Sequence, residues 1–313
     1  MAVEQRTQPA DSARGARRIG ASRATRQPPS SAPVFTGDYD ARILFEVHRI
    51  YPPASLIPDA VLLAFARLTG WHELFREYDR LAVVRPEVPF LQRAIDDREI
   101  RIHLRPPGLE TIPRSGPVIV YANHATGGMD LFALGSQILR VRSDLRVLTN
   151  EGMHEFPLLA DMSFPVNIFR NAPRESQFGV RHAVDWLKRG GVLMIFPAAQ
   201  MSLFSFRERR IKDRTWRPGL PRLCELVDRI RDDLLLLPAH IGARNSNGFY
   251  LAGAIHPMVA LGLGPHEMVA SRHRHMSVTF GTPFAPSELH AICDPDARTS
   301  ELRRRSDALA PRH

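Results

Sequence analysis

Between residues 117 and 280 the chain keeps switching between two hydrophobic periods, and this switching constrains its fold more than any other feature. Pro117-Val118-Ile119-Val120-Tyr121 is a short unbroken apolar run rich in β-branched side chains, the pattern of a strand buried on both faces. Residues 130–139 then place Leu131, Leu134 and Ile138 on one helical face. Residues 145–148 read as a strand, 153–160 as a short helix and 166–169 as another strand. Residues 175–188 predict an amphipathic helix with Val180, Ala183, Val184 and Leu187 inward, stopped by Gly190-Gly191. Strands at 192–196, 234–237 and 276–280 and a helix at 220–230 complete the series. Such alternation predicts an α/β fold, a largely parallel mixed sheet flanked by helices on both faces. In sheets of this kind, chemistry gathers beyond the carboxyl ends of the strands.

Two regions precede this core. Residues 1–36 are rich in Ala, Arg, Ser, Thr, Gln and Pro without periodicity, and ordering them has no apolar burial to offset its entropy. They are expected to form a disordered basic tail. Residues 37–106 read as an N-terminal helical region, with Leu56, Ile57, Ala60, Val61, Leu63, Ala64 and Leu68 recurring at threes and fours. These helices are expected to pack on the core, the alternative being to lie in a lipid interface. The end of the chain, residues 301–313, is expected to fray.

The formal net charge is +9, carried almost wholly by arginine, since Lys188 and Lys212 are the only lysines. That balance favours anionic partners: acidic lipid headgroups, phosphorylated substrates or nucleic acid. A nucleic-acid binder would also show interleaved aromatics or a recognisable motif, and neither is present, so nucleic acid is an unlikely partner. Cys224 and Cys293 are too few and too far apart for a disulfide framework or a metal site, and a reducing compartment fits. No apolar run approaches the roughly 18–20 residues that span a bilayer, and no hydrophobic stretch opens the chain. The expectation is a cytoplasmic protein, peripherally associated with the inner face of the membrane.

The sharpest local pattern is Tyr121-Ala122-Asn123-His124-Ala125-Thr126-Gly127-Gly128-Met129-Asp130. A buried strand delivers a histidine to its carboxyl end, a glycine pair permits a tight turn, and an aspartate opens the next helix. Imidazole titrates near neutrality and can take a proton from an attacking hydroxyl or amine. A carboxylate that fixes its tautomer improves such a base. An N-cap aspartate beside a structurally satisfied histidine is the plain alternative.

Asn123-His124, five residues, then Asp130 resembles the first motif of the phospholipid/glycerol acyltransferase superfamily. The resemblance is closest to the branch of hemolysin-like proteins and ornithine-lipid acyltransferases, where Asn-His-x-x-Gly-Gly-x-Asp is common. The wider superfamily has four residues between His and Asp, so the two glycines must absorb one more. Val166-Asn167-Ile168-Phe169-Arg170 is similar to the second motif, which implies that Arg170 binds the acyl acceptor. Phe196-Pro197-Ala198-Ala199-Gln200 resembles the third, Phe-Pro-x-Gly-Glu, with Ala199 in place of Gly and Gln200 in place of Glu. Glutamine keeps hydrogen-bonding capacity but loses the charge that would hold an ammonium. Leu237-Pro238 followed by Arg244-Asn245-Ser246 is similar to the fourth motif region. Between them, the basic stretch 207–216 is followed by a helix after Asp213-x-x-Trp216, as in this branch, and suggests phosphate contacts or a solvated loop.

The resemblance implies a glycerol-phosphate acyltransferase-like fold, with residues 107–300 as the acyltransferase domain. It implies His124 as general base and Asp130 as its partner, with Asn123, Arg170, Pro197, Gln200, Arg244 and Asn245 around the substrates. The implied reaction moves a fatty acyl group from acyl-CoA or acyl carrier protein to a lipid acceptor, a lysophospholipid or glycerol phosphate. N-acylation of an amino acid such as ornithine, and a catalytically degenerate lipid-binding relative, are the alternatives. Backbone amides near the Gly127-Gly128 turn are expected to face the oxyanion. No metal or resident cofactor is expected: Arg272-His273-Arg274-His275 surrounds its histidines with repelling cations, and no Walker loop, Gly-x-Ser-x-Gly elbow or dinucleotide fingerprint occurs.

Overall fold

A computed structural model describes residues 38–50, 52–166 and 173–311. The tail expected at 1–36 and the predicted site residue Arg170 lie outside the described residues. Four helices come first: α1 (Tyr39–Ile50), α2 (Asp59–Leu68), α3 (Trp71–Val83) and α4 (Phe90–Asp97). Helices α1, α3 and α4 bury Ile43, Phe75, Leu81, Leu91 and Ala94 in the main core. Helix α2 contributes only Ala66 and half-buried Leu63, whereas Leu56, Ile57, Ala60, Val61, Ala64 and Leu68, expected to pack there, are exposed.

The alternating part follows as β1 (Arg101–Arg105), β2 (Val118–Ala122), α5 (Gly128–Leu139), β3 (Leu145–Asn150), α6 (Pro157–Ala160) and β4 (Ser163–Val166). It continues with α7 (Pro173–Lys188), β5 (Val192–Ile195), the pair β6 (Leu203–Ser205) and β7 (Arg210–Lys212), and α8 (Gly219–Asp228). The last part holds β8 (Leu235–Gly242), α9 (Asn247–Ile255), α10 (Pro257–Gly262), α11 (Gly264–Val269), β9 (His275–Phe280) and α12 (Pro295–Asp307). Seven strands form one sheet in the order β1-β9-β8-β2-β5-β3-β4. Every pairing in it is parallel except β8 with β9. Strands β6 and β7 make a separate antiparallel hairpin.

The central strand explains why its sequence shows no alternation. Val118, Val120 and Ala122 face one layer with Leu91 and Leu134, while Ile119 and Tyr121 face the other with Leu187, Leu223 and Leu302. Both faces are covered by helices, so every side chain of β2 is removed from water. A fully buried large apolar side chain contributes about 1.5–3 kcal/mol, and both layers share that gain.

Four further sequence expectations need correction. The sheet starts at β1, before residue 107. Arg101, His103 and Arg105 are exposed and alternate with half-buried Ile102 and Leu104, so this edge strand lacks the apolar run that marks the others. The predicted helix at 153–160 divides, a 3-10 turn at Glu151–Glu155 giving way to α6 at Pro157, whose ring suits a helix's first position. The end of the chain does not fray from 301. Helix α12 runs to Asp307, its Leu302 and Ser306 are fully buried, and Ser306 Oγ donates to the Ala239 carbonyl at 2.6 Å. Strand β4 also lies earlier than the predicted 166–169, and most of that segment is outside the described residues. Among the described residues no helix is long and apolar enough to cross a membrane.

Candidate active site

Parallel pairing of β8, β2 and β5 puts three of the sequence motifs at neighbouring strand ends. Asn123-His124 leaves β2, Phe196-Pro197 leaves β5, and the segment Ala243–Ser246 leaves β8. Their convergence is thus a consequence of strand order.

His124 Nδ1 lies 2.9 Å from Asp130 Oδ2. The carboxylate belongs to the first turn of α5 and is fully buried. Its Oδ2 also accepts the backbone amides of Thr126 at 2.8 Å and Gly127 at 3.0 Å, and its Oδ1 accepts the Thr126 hydroxyl at 2.6 Å. Such a ring of donors fixes Asp130 as the acceptor for a proton on Nδ1, which leaves the Nε2 lone pair free of that contact. The fifth intervening residue is absorbed at Gly127, whose φ of +91° is open to glycine and strained for other residues. A Cβ there would also stand 2.6 Å from the Met201 sulfur.

The ring of His124 stacks on Phe196, centroids 4.6 Å apart and planes 16° from parallel. Its backbone is held as well. The His124 amide donates to both oxygens of Asp213, at 2.9 and 3.2 Å, and its carbonyl accepts the Ser202 amide at 2.7 Å. Asp213 is buried and also accepts Ser202 Oγ at 2.7 Å and Trp216 Nε1 at 2.8 Å. Burial pushes the Asp213 carboxyl above its ordinary range, and these donors pull against that rise.

The remaining predicted residues divide by what they touch. Asn123 is buried, with its amide spent on the backbone of β8: Nδ2 donates to the Ile241 carbonyl at 3.0 Å and Oδ1 accepts the Ile241 amide at 2.7 Å. It ties two strand ends together below the histidine. Pro197 is buried, and Gln200 is half-buried on the loop that reaches His124 through Ser202. Ala199 takes a φ of +58°, which explains why glycine suits this position in the motif it resembles. Arg244 is exposed, pairing with Asn247 at 2.5 Å and lying 5.8 Å from the Tyr250 ring. Asn245 is buried, and both of its side-chain polar atoms lack a protein partner among the described residues.

Two expectations change. Of the amides at the glycine turn, those of Thr126 and Gly127 are spent on Asp130, which narrows the expected oxyanion donors to the amides after them. The basic stretch is partly self-neutralised, because Glu208 pairs with Arg210 and Lys212, and its Asp213 turns inward. Sequence reading passed over Asp213 and Ser202 as site residues. The Asp-x-x-Trp spacing was the available signal, masked by the arginines around it.

Beside this site lies an apolar cavity of about 60 Å³. Gly128, Phe132 and Met268 line it next to the glycine turn, and Tyr78, Phe90 and Phe156 line it beyond. No group of three or more His, Cys, Asp or Glu suited to a metal occurs among the described residues.

No family model matches the chain. It is 26% identical over 205 residues to a lyso-glycine lipid O-acyltransferase of Bacteroides thetaiotaomicron, covering 63% of this chain and 71% of the relative. A lyso-glycine lipid O-acyltransferase of Phocaeicola vulgatus is 26% identical over 206 residues, covering 63% of this chain and 69% of the relative. Among solved structures, the 1-acyl-sn-glycerophosphate acyltransferase PlsC from Thermotoga maritima aligns over 87% of this chain and 96% of its own, at 13% identity and a TM-score of 0.43. The chain is thus similar in sequence to two lipid O-acyltransferases, and it joins a histidine and an aspartate at the end of a buried strand.

Proposed function

We propose that this protein transfers a fatty acyl group from a thioester, acyl-CoA or acyl carrier protein, to the hydroxyl of a single-chain lipid acceptor, with His124 as general base. The observation that carries the mechanism is the 2.9 Å contact between His124 Nδ1 and Asp130. With Nδ1–H held by the carboxylate, Nε2 accepts the proton of the acceptor hydroxyl as its oxygen attacks the thioester carbonyl. The tetrahedral adduct collapses, the C–O bond is kept, the C–S bond breaks, and the thiolate leaves with the proton that His124 took. No acyl-enzyme forms.

The two sequence relatives favour a lyso-glycine lipid as acceptor, and O-acylation over N-acylation. Gln200 agrees, because a neutral amide offers an ammonium less than a glutamate would. The net charge of +9 and exposed Val61 and Leu68 on α2 support action at an anionic membrane surface. Purified protein supplied with labelled acyl-CoA or acyl carrier protein should convert lyso-glycine lipid to its O-acylated product, read by mass spectrometry. Lysophosphatidate and free ornithine serve as competing acceptors. Transfer to lysophosphatidate alone would replace the acceptor, an amide product would make the enzyme an N-acyltransferase, and no product from any pair would leave a non-catalytic lipid binder.

A further inference from the structure

We propose that Asp213 is a positioning residue for the acyl-transfer reaction: its buried carboxylate clamps the backbone of His124 and so sets the angle at which the imidazole meets Asp130 and the acceptor. The proposal rests on the reading of His124 as general base.

The need for a clamp follows from topology. Strand β2 ends at Ala122, and the β2–β8 register ends there too, so His124 stands beyond the ladder that orders the strand. A buried amide at such a place requires another acceptor. Asp213 supplies one with both oxygens, at 2.9 and 3.2 Å, and charge makes these bonds stronger than those of a neutral carbonyl. The His124 carbonyl is taken by the Ser202 amide at 2.7 Å, and Ser202 Oγ reaches Asp213 at 2.7 Å. Trp216 Nε1 holds the other oxygen at 2.8 Å, and its indole is wedged edge-on against Tyr121 of β2, centroids 6.1 Å apart. Both peptide groups that flank the histidine are therefore fixed from one carboxylate and its serine.

Burying a carboxylate is costly, and burial does push this one above its ordinary range. Asparagine would fill the space without that cost, yet it would turn an NH₂ toward one of three N–H or O–H donors. The charge is kept where it orders the peptide of the general base. Two carboxylates thus hold the residue, one at its Nδ1 and one at its backbone amide.

The test measures kcat and the acceptor KM for Asp213→Ala, Asp213→Asn and the double variant Ser202→Ala/Trp216→Phe. Misplacing a general base by about 1 Å costs on the order of 100-fold, so Asp213→Ala should lower kcat about 10- to 100-fold. KM should stay within about twofold. Asparagine should rescue part of the loss, and the double variant, which loosens the carboxylate but keeps it, should fall between parent and Asp213→Ala. Parental kcat in a folded Asp213→Asn, or a rise in KM that accounts for the whole effect, overturns the proposal. If neither Asp213 variant folds, the double variant decides it, and parental kcat there overturns it equally. Backbone hydrogen exchange at His124 gives a readout independent of turnover: slow in the parent and faster in the variants is expected, and fast exchange in the parent overturns the clamp. A parent that transfers no acyl group but protects this amide would sink the acyltransfer reading and leave the clamp standing.

Discussion

His124 is ordered on its Nδ1 edge by Asp130, on its face by Phe196 and on its backbone by Asp213. Replacing it with alanine should lower turnover about 100- to 10,000-fold while acceptor binding changes little, since a general base acts on the transition state. Asp130→Asn should fall in the same range, because an amide oxygen can still accept these N–H groups but the charge that stabilises the imidazolium is lost. Steady-state kinetics on folded protein checks both, and a parental rate in His124→Ala removes the base. The His124–Asp130 pair was legible because six positions and a glycine turn connect them. Asp213 was not, since its link to His124 spans 89 positions and only folding brings the two together. Residue 199 offers a second residue-scale test. Its φ of +58° strains alanine, so Ala199→Gly should raise stability by about 0.5–1 kcal/mol, read as a higher urea midpoint at unchanged slope. An unchanged or lower midpoint would mean that the loop relaxes this strain elsewhere.

Elements were legible where both faces of a strand are buried and where helices show a single apolar stripe. Edge strand β1 escaped because its side chains alternate exposed and half-buried, with arginine and histidine outward. What joins elements was not legible at all. Glu77 of α3 and Arg98, just past α4, form a buried ion pair, and Arg98 Nε donates to the Met268 carbonyl of α11 at 3.2 Å. Met268 in turn covers Gly128 at the start of α5. Burial pulls the Arg98 pKa down, with Glu77 the main opposing influence. Glu77→Gln leaves the guanidinium without its buried partner and should cost about 3–5 kcal/mol in denaturant unfolding. A loss under about 1 kcal/mol would show that Asp97 and water replace the glutamate. Helices and sheet also meet backbone to backbone at Gly179 of α7, where a Cβ would stand 1.8 Å from the Pro165 carbonyl oxygen of β4. Gly179→Ala must push α7 away and should destabilise by about 1–3 kcal/mol, visible in the same unfolding curve. An unaltered curve would mean that α7 does not sit against β4 this closely.

At the scale of the whole molecule, the sheet separates a layer with α3, α4 and α5 from one with α7, α8 and α12. That division was predictable from the alternation of strands and helices, whereas the ion pairs that join neighbouring elements required the tertiary fold. Those pairs make a pH prediction. Arg80 of α3 holds the Asp97 carboxyl of α4 below its ordinary range. Glu267 of α11 is raised by burial, but the Ser246 hydroxyl and amide and the Arg274 guanidinium outweigh this and leave it lowered. A carboxylate whose folded pKa is depressed adds stability above its unfolded value of about 4, and that stability is lost as pH falls toward the folded value. Asp213, raised by burial, acts in the opposite sense and offsets part of the loss. Burial holds the His240 imidazole below its ordinary range, so the unfolded chain takes up that proton first. Unfolding free energy should begin to decline as pH falls through about 6.5 and drop more steeply below about 4.5. Glu267→Gln should lower stability at pH 7, because it uncouples the turn after β8 from α11 and β9, and should flatten the acid slope, because one of the titrating clamps is gone. Urea midpoints at neutral and acid pH separate the two effects. A variant as acid-sensitive as the parent would show that the clamp at Glu267 contributes nothing to the titration, and that the lost stability resides in the other paired carboxylates.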